Sequence, residues 1–370
     1  MADASASRRH PRKIAKFPSQ VSADPLPLTA EIAPVLCGMW RPSYPQEEPG
    51  LVRTDSFVWT RDSSEFRSLP YISGDRYVET DYLAGHGHAV IFENRRQIYA
   101  PGTRQDIGSE SLGLFKYDLP TGKVLRANYD PSDTGADRPI VSAASPDGTS
   151  LVVAHSFLPD ADPPAVDALT SYTTVDFDGR EPARTIGIYP GGVHDDGFAR
   201  SIHWSPDGTR LAVGVGVLPQ HGNSNWRRSG TLLIDLATGQ HTLHHNIEPL
   251  GSQAWSPDGN RLLVHNVSED FYLWDLTTDT RTPFDHPGLH SQRGYDVQPD
   301  GKTFLIQGFA TDEHLLYSRE RGTTTYLGLL RISDGDLTPL IRWTDKHTPF
   351  YPVTTHIPPE YWLDLAGTRG

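Results

Sequence analysis

The stretch SIHWSPDGTRLAVGVG, residues 201–216, decides the fold. It holds an apolar run ending in tryptophan, the tetrapeptide Ser205-Pro206-Asp207-Gly208, and a second apolar run. Pro presets φ at the second position of a type I turn, Asp accepts hydrogen bonds there and Gly is favoured at the fourth, so the tetrapeptide joins two antiparallel strands tightly. The arrangement recurs in QAWSPDGNRLLVHNV (253–267) and YDVQPDGKTFLIQGF (295–309), with a further copy at Ser145-Pro146-Asp147-Gly148. Asp147, Asp207, Asp258 and Asp300 follow one another at intervals of 60, 51 and 42 residues. Such a period, with insertions of varying length, predicts a propeller or solenoid array.

A second turn signal follows each copy. Asp235 to Gly239 in GTLLIDLATGQHTLH is matched by Asp118 to Gly122, and more weakly by Asp275 to Asp279, Asp176 to Gly179 and Ser333 to Gly335. Each repeat thus reads as four strands a to d, with tight a–b and c–d turns and a longer b–c loop, which is one propeller blade.

Through these S-P-D-G turns the chain resembles the WD40-like (PD40) propellers typified by the TolB C-terminal domain, over roughly residues 82–366. The resemblance implies an all-β propeller. It implies no single activity, because the family includes periplasmic interaction platforms, peptidase propellers and a cytoplasmic oligogalacturonate lyase with a His-bound metal.

The expected architecture is a six-bladed β-propeller. Five blades span about 82–127, with a first turn at Glu93–Arg96, then 137–188, 195–246, 248–285 and 290–342. The remaining blade is shared by the termini: YPVTTHIPPEYWLDLAG (351–367) supplies strands a and b, and residues 55–72 supply c and d. Such closure removes a free sheet edge. A seventh blade built partly from residues 30–50 is the alternative count. Residues 1–50 read as a basic, Pro-rich, partly disordered N-terminal extension, and 51–370 as the propeller.

Composition agrees with one β-rich domain: 36% of the 370 residues are hydrophobic, and 33 Gly and 31 Pro suit short strands and many turns. No stretch approaches the ~18 apolar residues of a membrane span. A lone Cys37 excludes an internal disulfide framework and suits a reducing compartment. The twin arginines Arg8-Arg9 are followed by Pro18, Ser19, Gln20 and Asp24 rather than an apolar run, so a cytoplasmic location is expected. The basic residues Arg8, Arg9, Arg12, Lys13 and Lys16 read as a solvated tail. A net charge of −13 argues against nucleic acid or an anionic membrane as principal partner.

Strand order sorts the loops. The tight a–b and c–d turns share one end of the blades, while the b–c loops and the d–a crossovers share the other. Long loops at 154–170, 216–230 and 308–324 therefore mark the functional end. Of the 16 histidines, His86, His88, His155, His194, His221, His265, His290, His314 and His347 fall at or near it, and His194, His245 and His347 each stand 12 residues before a turn proline. Imidazole serves acid–base chemistry and binds divalent metals, although no H-x-x-x-H or H-E-x-x-H spacing occurs. The candidate catalytic residues are His194, His290, His347 and Arg293. The candidate ligand-binding residues are His155, Asp195, Trp226, Arg227 and His265. A divalent metal ion is the cofactor these side chains could hold.

Inside strand a, His203, Asp296 and His356 stand three residues before a turn proline, where other blades carry Ala143 and Ala254. An Asp296–His356 dyad is one reading, and a structural hydrogen bond at a blade junction is the commoner one. Arg319 and Arg321 beside Tyr317 suit an anion clamp, or surface charge on an apolar stem. Two functions follow: a propeller that binds, or transforms by a lyase, cyclase or isomerase step, a small polar or anionic molecule; or a scaffold for a protein partner.

Overall fold

The three S-P-D-G turns at 145–148, 205–208 and 256–259 fold alike. Gly148, Gly208 and Gly259 donate their N–H to the carbonyls of Ser145, Ser205 and Ser256 at 3.0, 2.9 and 2.9 Å, closing each turn. All three glycines have φ between 65° and 72°, which explains the residue type. Each serine hydroxyl donates to the turn aspartate (2.6, 2.5 and 2.5 Å) and accepts from the backbone five residues on (Ser150, Arg210 and Arg261 N–H, 2.9–3.0 Å). Burial alone would raise the Asp207 and Asp258 carboxyls; these hydrogen bonds, with the Arg210 or Arg261 cation nearby, hold them below the ordinary value.

The computed structural model describes residues 15–16, 35–40, 55–60, 66–68, 78–86, 89–99, 106–118, 123–127, 141–157, 169–177, 181–190, 192–193, 202–217, 227–251, 253–266, 270–284, 296–297, 303–321, 324–344, 350–353 and 359–366. They form six antiparallel sheets and one helix. The first sheet runs Phe350–Val353, Val35–Trp40, Asp55–Thr60, Phe66–Ser68, and the second Val78–His86, Ala89–Tyr99, Asp106–Asp118, Lys123–Arg126. The third is Val141–Ala144, Ser150–Phe157, Leu169–Asp176, Arg184–Pro190. The fourth has Gly192–Val193 and Ile202–Trp204 on the inner side of Arg210–Val217, then Arg227–Asp235 and His241–His245. The fifth is Ile247–Pro249, Arg261–Asn266, Phe271–Asp275, Thr280–Pro283. The sixth runs Asp296–Val297, Thr303–Thr311, His314–Arg321, Thr324–Arg331, Leu337–Thr344, with Ala15–Lys16 added in parallel at its outer edge. The fold is a β-propeller of meandering blades. No helix among the described residues is long and apolar enough to cross a membrane.

The sheets pack through their faces, as strand alternation requires. Val152, Ala154 and Tyr172 of the third sheet meet Trp204, Leu211 and Val213 of the fourth. On the opposite face of the fourth, Ala212 meets Trp255, Leu262 and Trp274 of the fifth. The tryptophans also stitch the sheets together: Trp204 Nε1 donates to Ala143 O at 3.0 Å and Trp255 Nε1 to His203 O at 3.1 Å. The position three residues before the turn proline is thus where the next blade's indole docks. Both contacts use the backbone carbonyl, so they are independent of the Ala143 and His203 side chains. Arg210 lies over the Trp255 ring (4.9 Å) and donates to Gly259 O at 2.8 Å, and Arg261 repeats the grip on Phe309 (5.5 Å) and Asp312 O (2.5 Å).

That repetition corrects the expected register of the sixth blade. Asp312 takes the place of Gly259, and Ile332 N–H donates to Glu313 O as Leu276 N–H does to Asn260 O. The inner hairpin is therefore Thr303–Thr311 with His314–Arg321, Thr311 pairing with His314. The 308–324 stretch expected as a long loop is two paired strands. Buried Ile306, Phe309, Leu315 and Tyr317 fill the face toward the fifth sheet, and their burial sets which turn meets Arg261. The flanks of this fourth copy, Val297 and Thr303, pair at the strand end away from Asp312, so the four copies do not share one end.

Two other expectations are revised. In the second sheet His86 pairs with Ala89 and residues 93–96 lie within a strand, so the first turn falls seven residues earlier than Glu93–Arg96. In the first sheet Phe350–Val353 and the 55–68 strands do share a sheet, but strand b is Val35–Trp40, not the C-terminal tail. Part of the expected N-terminal extension thus lies within a sheet. The tail instead forms a helix, Pro359–Ala366, which begins on a proline that needs no N–H partner and buries Trp362 and Ala366, one turn apart, beside the sixth sheet.

Candidate functional site

The b strands carry histidines toward the end away from the S-P-D-G turns. His155 is the sixth residue of Ser150–Phe157 and His265 the fifth of Arg261–Asn266, roughly 13–17 Å from the start of each strand. Both are buried. Burial holds the His155 imidazole below its ordinary pKa, hence neutral at pH 7. His265 is opposite Glu248 of the innermost strand, and its Nε2 lies 3.7 Å from Glu248 Oε2. This carboxylate–imidazole pair was not foreseen. Glu248 lies outside every motif, and only strand register brings it to His265.

Polar groups continue from that pair toward the sixth sheet. Gln307 and Ser318 are buried and joined by Gln307 Nε2 donating to Ser318 Oγ at 3.2 Å. The segment after Ile247–Pro249 in the fifth sheet touches Thr303–Thr311 of the sixth at Gln253 and Gly308, where Phe309 N–H donates to Gln253 O at 2.8 Å. A Cβ on Gly251 (φ 82°) would stand 2.5 Å from Gln307 O, and Gly308 (φ 126°) is crowded by Gln253 in the same way. Beside them Asn266 closes the b–c hairpin, donating to Asp270 Oδ2 (3.0 Å) and Tyr272 Oη (3.3 Å).

The innermost strand of the fourth sheet is interrupted. Val193 pairs with Val215 and Ile202 with Val213, so the two segments stop on either side of Gly214, with residues 194–201 between them in sequence. His194 and Asp195 therefore fall inside this strand in sequence, not ahead of it. In the fifth sheet Gly251 to Gln253 take the same place opposite Leu263.

Of the candidate residues, His155 and His265 are buried in the b strands of different sheets. His194, Asp195, Trp226, His290, Arg293 and His347 are outside the described residues, as are His88, His221 and His356. Arg227 pairs through its backbone with Val217 at the mouth of the b–c loop. His86 and His314 are at the tight-turn end, contrary to expectation, because each borders an a–b turn. Tyr317 is a core residue whose hydroxyl is pushed up to about 12 by burial, so it does not form an exposed clamp with Arg319. A concavity of about 500 Å³ lined by Arg210, Leu233, Asp235, Gln240 and Thr242 also borders the tight-turn end, and its cation is engaged with Gly259 and Trp255. Among the described residues no three His, Cys, Asp or Glu side chains converge to hold a metal.

The sheets define the class, a β-propeller. No family model matches the chain, and no curated protein does. Two similar solved structures are TolB from Acinetobacter baumannii (TM-score 0.47, 12% identity, 85% of this chain and 65% of that one) and an oligogalacturonate lyase in complex with manganese (TM-score 0.42, 13% identity, 87% and 86%). Both are propellers of the TolB-like kind that the S-P-D-G turns resemble. At these similarities no property of either protein transfers to this chain.

Proposed function

We propose that this propeller binds a small polar or anionic molecule at the loop-bearing end of its innermost strands, with His194, Asp195, His290, Arg293 and His347 as its contacts. The observation that carries the reading is the interrupted innermost strand of the fourth sheet. Its two faces are packed against the third and fifth sheets, and residues 194–201 connect two strand segments that stop on either side of Gly214. That segment reads His-Asp-Asp-Gly-Phe-Ala-Arg-Ser, rich in groups that recognise carboxylates, hydroxyls or a bound cation. The Glu248–His265 pair and the Gln307–Ser318 bond line the neighbouring sheets at the same end and supply a polar wall. Imidazole, carboxylate and guanidinium suffice for a non-redox lyase, cyclase or isomerase step.

The test is a thermal-shift and calorimetric screen of tag-free protein against sugar acids and small carboxylates, with and without Mn²⁺. A hit should raise the melting temperature of the wild type and be lost in His194→Ala and His347→Ala, with their ligand-free melting temperatures within a few degrees of it. No hit, together with capture of a protein partner that those substitutions do not weaken, would establish the scaffold function instead.

A further inference from the structure

The outer edge of the sixth sheet is occupied. Ala15 pairs in parallel with Ile341 and Lys16 with Arg342, whereas among the described residues nothing pairs with the outer edges of Phe66–Ser68, Lys123–Arg126, Arg184–Pro190, His241–His245 or Thr280–Pro283. Added strands are a standard way of covering an exposed edge or recognising a peptide. The sequence around the pair suits a short strand: Pro11 and Pro18, which cannot donate to a ladder, bracket Arg12-Lys13-Ile14-Ala15-Lys16-Phe17.

Strand direction and charge bear on the residues that precede the pair. The parallel direction points the residues before Ala15 toward the Leu337 end of the strand, and Arg9 and Arg8, six and seven residues away in sequence, are within reach of the turn beyond it. That end of the sheet is acidic. Glu313, Asp334 and Asp336 are exposed on two turns that touch through the Ile332–Glu313 backbone bond, with Asp312 alongside. Arg331 bridges Asp334 (2.9 Å) and Asp336 (3.5 Å), and Arg261 lies 3.7 Å from Asp312, so four carboxylates face two guanidinium groups. The rest of the chain permits such a path: residues 17–34 span up to ~60 Å when extended, far more than the ~20 Å width of a four-stranded blade.

We propose that Arg8–Phe17 is a docking strap that lies along the outer edge of the sixth sheet, with its arginines on the Glu313, Asp334 and Asp336 turns. The basic N-terminus is then a ligand of this propeller's own acidic edge, and the same edge is the surface at which an extended basic peptide from a partner would compete with it.

Hydrogen–deuterium exchange on the full chain tests this. Amides of residues 12–17 should exchange about tenfold or more slowly than an unstructured chain at low salt, and lose that protection in 0.5 M NaCl. The exposed double substitution Glu313→Lys/Asp336→Lys should abolish the protection, and adding Arg8→Glu/Arg9→Glu should restore it. Removal of residues 1–17 should speed exchange at Ile341 and Arg342 without changing the other sheets. Unprotected amides at 12–17 in the wild type, or protection indifferent to both charge reversals, would overturn the proposal. So would a concentration-dependent dimer in light scattering that disappears with residues 1–17, because the edge would then belong to a second copy of the chain.

Discussion

At the residue scale the repeated serine explains why the turn motif is Ser-Pro-Asp-Gly and not merely Pro-Asp-Gly. Its hydroxyl bonds the aspartate and the backbone five residues later, so one small side chain closes the hairpin. Ser205→Ala should cost about 1–2 kcal/mol in urea unfolding, since Asp207 and the Arg210 N–H both lose a partner. A change below ~0.3 kcal/mol would show that water replaces the hydroxyl. Burial sets the behaviour of His155. With its folded pKa depressed, both states are neutral above ~6.5. Below that value the unfolded chain takes up a proton that the folded chain refuses, so the stability is present above ~6.5 and lost as pH falls through the lower folded value. Urea titrations at pH 7.5 and 5.0 should show a smaller pH-dependent loss in His155→Gln than in the wild type. An unchanged difference would assign the pH dependence to other groups, of which His244 and His314 are shifted in the same direction, also chiefly by burial.

At the element scale the C-terminal segment shows tertiary context overruling a repeat. Pro358-Pro359 resembles the turn of another blade, yet Pro359 opens a helix whose Trp362 is fully buried. Trp362→Ala should cost about 3–5 kcal/mol, and removal of residues 350–370 should yield aggregated protein. It would expose the indole's site and delete the innermost strand of the first sheet. Soluble, cooperative unfolding of the truncated chain would contradict this. The close approach of Gly251 and Gly308 to the neighbouring inner strand is a second element-scale constraint. Gly251→Ala should destabilise by more than ~1 kcal/mol, because φ is positive and a carbonyl lies where the Cβ would go.

At the scale of the whole molecule, the fourth, fifth and sixth sheets are held in sequence by a repeated grip: Arg210 and Arg261, after the 205–208 and 256–259 turns, each lie over the next blade's aromatic ring and donate to its turn carbonyl. Because Arg210 holds the turn from which Arg261 departs, the two grips share a structural unit. Arg210→Met and Arg261→Met should each cost about 1–3 kcal/mol, and the double variant should deviate from additivity by ~0.5 kcal/mol or more. Strict additivity would show that the blades unfold as separate units.

The propeller class was legible because its signals are local. A turn needs a Pro, an Asp and a Gly within four residues, and strands need apolar alternation beside it. Those signals placed the blades near 137–188, 195–246 and 248–285, and the observed third, fourth and fifth sheets occupy 141–190, 192–245 and 247–283. Where competing turns were available, local signals misled. Val297 and Thr303 still pair around the fourth copy, but Thr311–His314 takes the place of the Gly259 turn, where Ile306, Phe309, Leu315 and Tyr317 face the fifth sheet. Val35–Trp40 became strand b of the first sheet by pairing with residues more than 300 positions away, which no short pattern records. The site divides in the same way. His155 and His265 could be placed by counting along a strand, but the pairing of Glu248 with His265 and the interruption opposite Gly214 depend on register, which is set by burial across sheets and is therefore a property of the tertiary structure alone.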